Sequence, residues 1–135
     1  MPSFSRDATA RTPEIQLDSD AGTLVIKGES YPEDVSSFFA SLSDAINAYF
    51  AASQQALSVA IKLTYFNSSS ARALMELLDL LDDAAKNGRA VSVDWFCDAD
   101  DDITREFAQD ISSDVAHITV TIADLAPEDM PADHS

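Results

Sequence analysis

Only one cysteine, Cys97, occurs in the 135 residues, so no disulfide can close within the chain and a packed core must hold the fold. Glycine stands at three positions, Gly22, Gly28 and Gly88. None of them builds the glycine-rich strand-to-helix turn of a dinucleotide-binding or phosphate-binding loop. Basic residues number 8 against 24 acidic ones, giving a formal net charge of −16. The few Lys and Arg are scattered, which excludes nucleic acid as a partner because phosphate neutralisation needs them clustered. The same charge is repelled by anionic lipid, and no apolar run approaches the roughly 20 residues that cross a bilayer. With no apolar segment of the secretory kind near Met1 and a lone thiol, a cytoplasmic protein without membrane insertion is expected.

Catalytic groups are equally sparse. The two histidines are His117, on the polar face of an expected strand, and His134, in the C-terminal segment. No nucleophile elbow or paired-cysteine metal motif accompanies them. The sequence therefore points to a protein that is not an enzyme and carries no cofactor.

What the chain does have is apolar patterning. At 46% hydrophobic residues it can bury one core, and its length argues for one domain. Glu14-Ile15-Gln16-Leu17 and Thr23-Leu24-Val25-Ile26-Lys27 read as a hairpin with an Asp-rich turn. From Val35 on, Phe38, Phe39, Leu42, Ile46, Tyr49 and Phe50 recur on one helix face, with Ser30-Tyr31-Pro32-Glu33 as the expected capping box. Leu57, Val59, Ile61, Leu63 and Tyr65 alternate as a strand. Leu74, Leu77, Leu78, Leu81 and Ala85 form the apolar face of a second helix that stops at Lys86-Asn87-Gly88. Val91, Val93, Trp95 and Cys97 make another strand, Ile103, Phe107 and Ile111 a narrower helical stripe, and Ala116, Ile118, Val120 and Ile122 a last strand.

The resulting order is ββαβαβαβ, a single-domain α/β fold over residues 13–122 between flexible tails at 1–12 and 123–135. Strands buried on both faces read as continuous apolar runs, whereas three here alternate with polar residues. A mixed β-sheet with its helices mainly on one face is therefore expected, as in STAS domains of the anti-sigma-factor-antagonist kind.

Two segments carry candidate chemistry. Tyr65-Phe66-Asn67-Ser68-Ser69-Ser70 lies where a strand gives way to a helix. One Asn or Ser suffices as an N-cap, so three consecutive hydroxyls are in excess of that need. A phosphoryl group there adds about −1.5 to −2 charge at a helix N-terminus, where an anion is favoured. Arg72 stands four residues beyond Ser68. The second segment is Asp98-Ala99-Asp100-Asp101-Asp102, in which Asp98, Asp100 and Asp102 match the first three ligand positions of a calcium loop. Ile103 occupies that motif's glycine position and Gln109 its closing glutamate. The reading preferred is that these aspartates line the first turn of the third helix; an acidic calcium-binding module is the alternative.

Gly28-Glu29-Ser30-Tyr31-Pro32-Glu33, Tyr65-Phe66-Asn67-Ser68-Ser69-Ser70 and Val91-Ser92-Val93-Asp94-Trp95-Phe96, in this order and separation, resemble the SiaC family of bacterial regulatory phosphoproteins. The resemblance spans about Thr12 to Ile122. It implies a partner switch: a dedicated SiaB-like protein kinase and a PP2C-type phosphatase act on the chain, and its unmodified form binds and activates a diguanylate cyclase in cyclic-di-GMP signalling and biofilm formation. The modified hydroxyl follows the loop asparagine, which maps it to Ser68, where the family's best-known members have threonine. Ser69 and Ser70 are secondary candidates. Partner contacts are expected from Tyr65, Asn67, Ser69, Arg72, Glu29 and Tyr31.

Overall fold

Inward apolar residues at every second position make Leu57–Phe66 the centre of the sheet: Leu57, Val59, Ile61 and Leu63 are buried while Ser58 faces solvent. The computed structural model describes residues 4–7, 9, 12–30, 34–52 and 54–125. They form strands β1 (Phe4–Arg6), β2 (Glu14–Asp18), β3 (Thr23–Ser30), β4 (Leu57–Phe66), β5 (Val91–Cys97) and β6 (Thr119–Asp124), with helices α1 (Val35–Ala52), α2 (Ser68–Lys86) and α3 (Asp102–Ser113). The sheet runs β1-β2-β3-β4-β5-β6, antiparallel through the first three strands and parallel from β3 onward. This is the expected mixed sheet in one domain.

Register lines up the core. Leu17, Leu24, Val59, Val93 and Val120 form one row across β2 to β6, and Ile15, Ile26, Ile61, Trp95 and Ile122 form the next. The three helices cover this face with Phe38, Phe39, Leu42, Ile46 and Tyr49 of α1, Leu74, Leu77, Leu78 and Leu81 of α2, and Ala108 and Ile111 of α3. Each fully buried Leu or Ile contributes about 1.5–3 kcal/mol, so the two rows and their helical cover dominate stability. The opposite sheet face carries Gln16, Ser58, Ser92, Asp94, Thr119 and Thr121, all exposed. The alternation read in the sequence thus marks a sheet covered on one side. No helix among the described residues is long and apolar enough to cross a membrane.

Local chemistry sets the element ends. At the β2–β3 turn the Asp18 carboxylate accepts from the Asp20 and Ala21 amides at 3.0 and 3.1 Å. Helix α2 closes in a Schellman motif: Gly88, at φ +104°, donates to the Ala85 carbonyl at 3.0 Å and Arg89 to that of Ala84 at 3.1 Å. Helix α2 is also stapled to the α3–β6 connection. The Asp82 carboxylate there accepts from the Ala116, His117 and Ile118 amides at 3.1, 2.6 and 3.1 Å. Burial pushes its pKa up, but these three donors outweigh that and leave it below the usual value.

The structure corrects four expectations. Residues 4–6 pair with β2 as an edge strand, where a tail was expected. Phe4 packs on the core and the Arg6 guanidinium lies 5.5 Å from the Phe4 ring and 5.7 Å from that of Phe38. Three residues are too few to show a periodicity. At the other end Ala123 and Asp124 belong to β6 and Leu125 is buried, so the expected C-terminal tail begins inside the sheet; residues 126–135 lie outside the described residues. Helix α1 is capped by Asp34, whose carboxylate accepts from the Ser37 amide at 3.1 Å, and not by the Ser30 box. Ser30 instead ends β3 with its side chain buried, while Tyr31, Pro32 and Glu33 lie outside the described residues. His117, finally, is exposed just ahead of β6 and not on it.

Candidate functional site

The carboxyl end of β4 leads straight into α2, and every residue of the junction has a distinct environment. Asn67 is the N-cap: its backbone is extended at φ −90° and ψ 179°, and its side-chain oxygen accepts from the Ser70 amide at 2.9 Å. The Asn67 amide in turn donates to the Ser30 carbonyl at 3.2 Å. Ser68 and Ser69 follow as the first two helical residues, both exposed. Their amides are first-turn donors, for which a helix offers no carbonyl.

Ser70 differs. It is completely buried, and its hydroxyl lies 2.8 Å from that of Ser30, also completely buried. This removes Ser70 from the secondary modification candidates, because no visiting enzyme reaches a sealed oxygen. The pair ties the end of β3 to the first turn of α2. Ser30 was not anticipated in this role. The signal for it lay in the α2 stripe, since stepping back one turn from Leu74 lands on Ser70.

Beneath the junction sits an aromatic brace. The Phe66 ring lies 6.4 Å from that of Trp95 and 5.4 Å from that of Phe107, and Trp95 and Phe107 are 6.0 Å apart edge to face. The residue before the cap is therefore wedged against β5 and α3. On the other side, the register shifts next to Gly28, at φ +121°: Thr64 is the extra residue of a bulge in β4, and pairing resumes with Glu29 opposite Tyr65 and Ser30 opposite Phe66. Glu29 and the half-exposed Tyr65 thus stand side by side at the rim that carries Ser68.

Of the expected contact residues, Tyr65, Asn67, Ser69 and Glu29 gather at this rim, and Tyr31 lies outside the described residues. Arg72 is exposed, with its Nε 3.8 Å from Glu76 on its own helix. It lines a groove of about 300 Å³ between α1 and α2 together with Ser69, Phe39, Ala73 and Leu77.

The aspartate cluster after β5 is spent on local structure. Asp101 caps α3, accepting from the Thr104 hydroxyl at 2.6 Å and amide at 2.9 Å, and these bonds hold its carboxyl below the usual range. Asp98 accepts from the Asp100 amide at 3.0 Å. Only Asp102 falls in the first turn of α3, so the expected four-aspartate helix start is a turn, a cap and one helical residue. Among the described residues no group of three or more His, Cys, Asp or Glu converges as a metal site. Cys97 is fully buried, and that burial raises its thiol pKa, as suits a small apolar residue.

Comparison with known proteins converges on one family. Residues 6–125 match the model of the SiaC family regulatory phosphoprotein. An uncharacterized protein of Pseudomonas aeruginosa strain UCBPP-PA14 is 38% identical over 106 residues, covering 78% of this chain and 84% of the relative. The crystal structure of apo-SiaC from Pseudomonas aeruginosa superposes with a TM-score of 0.82 at 34% identity, covering 91% of this chain and 99% of that one. A crystal structure of the diguanylate cyclase SiaD in complex with its activator SiaC, from the same organism, gives 0.84 at 34% identity over 90% of this chain and 99% of that one.

Proposed function

Because the chain belongs to the SiaC family of regulatory phosphoproteins, we propose that it is a non-catalytic cytoplasmic switch, reversibly phosphorylated on Ser68, whose unmodified form binds and activates a diguanylate cyclase. A SiaB-like kinase adds the phosphate and a PP2C-type phosphatase removes it. Support for the cyclase as partner is that the similar SiaC of Pseudomonas aeruginosa is the activator in complex with SiaD.

The observation that carries the reading is the placement of Ser68: an exposed hydroxyl at the first position of a helix whose cap is already supplied by the neighbouring asparagine. A phosphate there meets the positive end of the helix and the two first-turn amides, so it adds charge without costing the helix its cap. Ser68 is exposed, so the charge is presented outward to the partner, which loses hydrogen bonds to the bare loop and meets repulsion.

The test is direct. Incubation with the kinase and ATP, followed by mass-spectrometric mapping, places the phosphate on Ser68; phosphate confined to sites other than Ser68 and Ser69 refutes the assignment. In calorimetry Ser68→Asp weakens binding to the cyclase and Ser68→Ala retains it. Equal affinity of the two variants counts against the switch.

A further inference from the structure

One row of side chains on α2 runs from the Ser68 loop along the α1–α2 groove. Ser68, Arg72 and Glu76 are spaced four residues apart in one helix, so they stand one above the next on its surface, and all three are exposed. Arg72 and Glu76 also line the groove of about 300 Å³, together with Ser69. Among the described residues lining it, Arg72 is the one basic side chain and Glu76 the one acidic side chain.

Arg72 is held loosely where it is. Its Nε lies 3.8 Å from the Glu76 carboxylate, too far for a hydrogen bond, and the two side chains are 85% and 73% exposed. The pair also places its cation on the N-terminal side of its anion, the order that the helix dipole disfavours. A phosphate on Ser68 reverses that order: the anion comes first, carries about twice the charge of a carboxylate, and offers oxygens that fit the planar guanidinium fork. Helical side chains lean toward the N-terminus, so Arg72 covers the turn that Ser68 begins. The first turn of α2 contains no acidic residue to compete with the phosphate there. The other basic residue of α2, Lys86, stands in the last turn, about 27 Å along the axis from Ser68.

We propose that Arg72 is the counter-ion of the phosphate: once Ser68 is phosphorylated, the guanidinium leaves the Glu76 carboxylate and pairs with the phosphoryl oxygens. This rests on the switch reading above and adds to it a second change at the same surface. The phosphate gains a fixed partner, the groove loses its basic side chain, and Glu76 is left uncovered on the groove wall. One modification thereby turns a balanced pair into an acidic wall. A group of about −2 against a charge of +1 still shows the cyclase a net negative charge.

The experiment encodes phosphoserine at position 68 of the full chain, so that no kinase preference enters, in four backgrounds: wild type, Arg72→Gln, Arg72→Lys and Glu76→Gln. Arg72 and Glu76 are exposed, so all four should melt together. Phosphorus NMR follows the second ionisation of the phosphate, ordinarily near a pKa of about 6. Arg72→Gln is expected to raise that pKa by about 0.2–0.5 relative to wild type, because the dianion loses its cation. Arg72→Lys should restore at least half of the difference, and Glu76→Gln should leave the pKa at or below the wild-type value. In nitrogen NMR the Arg72 Nε–H signal of wild type should move as the phosphate ionises, a response that an arginine with a merely structural role would not give. Equal phosphate pKa values in wild type and Arg72→Gln overturn the counter-ion exchange and leave the switch standing. Phosphate mapped by the kinase reaction to a site other than Ser68 overturns the switch reading, and this inference with it.

Discussion

Replacing Ser70 with Ala tests whether the tie between β3 and α2 fixes the loop. The substitution removes one hydroxyl and leaves the Ser30 oxygen completely buried without its 2.8 Å partner. An unsatisfied buried hydroxyl costs about 1–3 kcal/mol, whereas removing both partners of such a pair is close to neutral. Ser70→Ala and Ser30→Ala are each expected to lose about 2 kcal/mol. For a chain of this size that is a drop of roughly 8 °C in melting temperature. The double variant should recover to within about 1 kcal/mol of wild type, which leaves a coupling energy of about 3 kcal/mol or more in the cycle. Urea melts followed by far-ultraviolet circular dichroism supply the four free energies. Kinase labelling of Ser70→Ala adds an independent readout, since phosphate incorporation at Ser68 should be unchanged. Additive losses in the double variant, or single losses below about 0.5 kcal/mol, would refute the argument that the two hydroxyls satisfy each other in a dry site.

Asp82→Asn should cost about 1–2 kcal/mol at neutral pH by weakening three hydrogen bonds to the α3–β6 connection. The folded-state pKa of Asp82 lies below its ordinary 3.8, so its contribution is complete above that value and is lost as pH falls through the folded one. The stability gap between wild type and Asp82→Asn therefore closes below about pH 4, and a gap unchanged by acid would show that charge plays no part. Calcium at 1 mM should leave the melting temperature unchanged, because Asp98 and Asp101 are committed to the turn and the cap. A site with a Kd near 10 μM would add about 2.7 kcal/mol at that concentration, so a rise of several degrees would restore the calcium reading.

How much of this was legible in the sequence follows from what each signal measures. Alternation along Leu57–Phe66 and the leucine stripe of α2 report which side of an element faces a core, and they placed both elements and the junction between them. That one residue of the Asn67-Ser68-Ser69-Ser70 run caps α2 was readable because local hydrogen bonding decides it, and the structure assigns the cap to Asn67. The fate of the three serines depends on phase: successive helical residues turn by about 100°, so of three in a row one falls on the buried stripe. Carrying the stripe back one turn from Leu74 finds Ser70 buried. Carrying the α3 stripe back in the same way, from Phe107 to Ile103, fails, because periodicity tells direction but not where the sheet beneath the helix ends. Edge strand β1, the Asp34 cap and the Ser30 partner rest on pairings that three residues or one side chain cannot advertise.

The charge already on the molecule decides how a phosphate can act. A group of about −2 moves the net charge from −16 to about −18, a change too small to alter the long-range field that brings partners together. At physiological salt its influence fades within about 8 Å, which covers the rim around Ser68 and little else. A switch built this way cannot work by steering. Under the proposed reading it works by contact, through the partner groups that would face Asn67, Ser68 and Ser69, and so through the lifetime of the complex more than the rate of its formation. That requirement explains why the loop is held so firmly: capped by Asn67, tied below by the Ser30–Ser70 pair and wedged by Phe66 against Trp95 and Phe107. A mobile loop could swing its new charge away from a bound partner, and a braced one cannot.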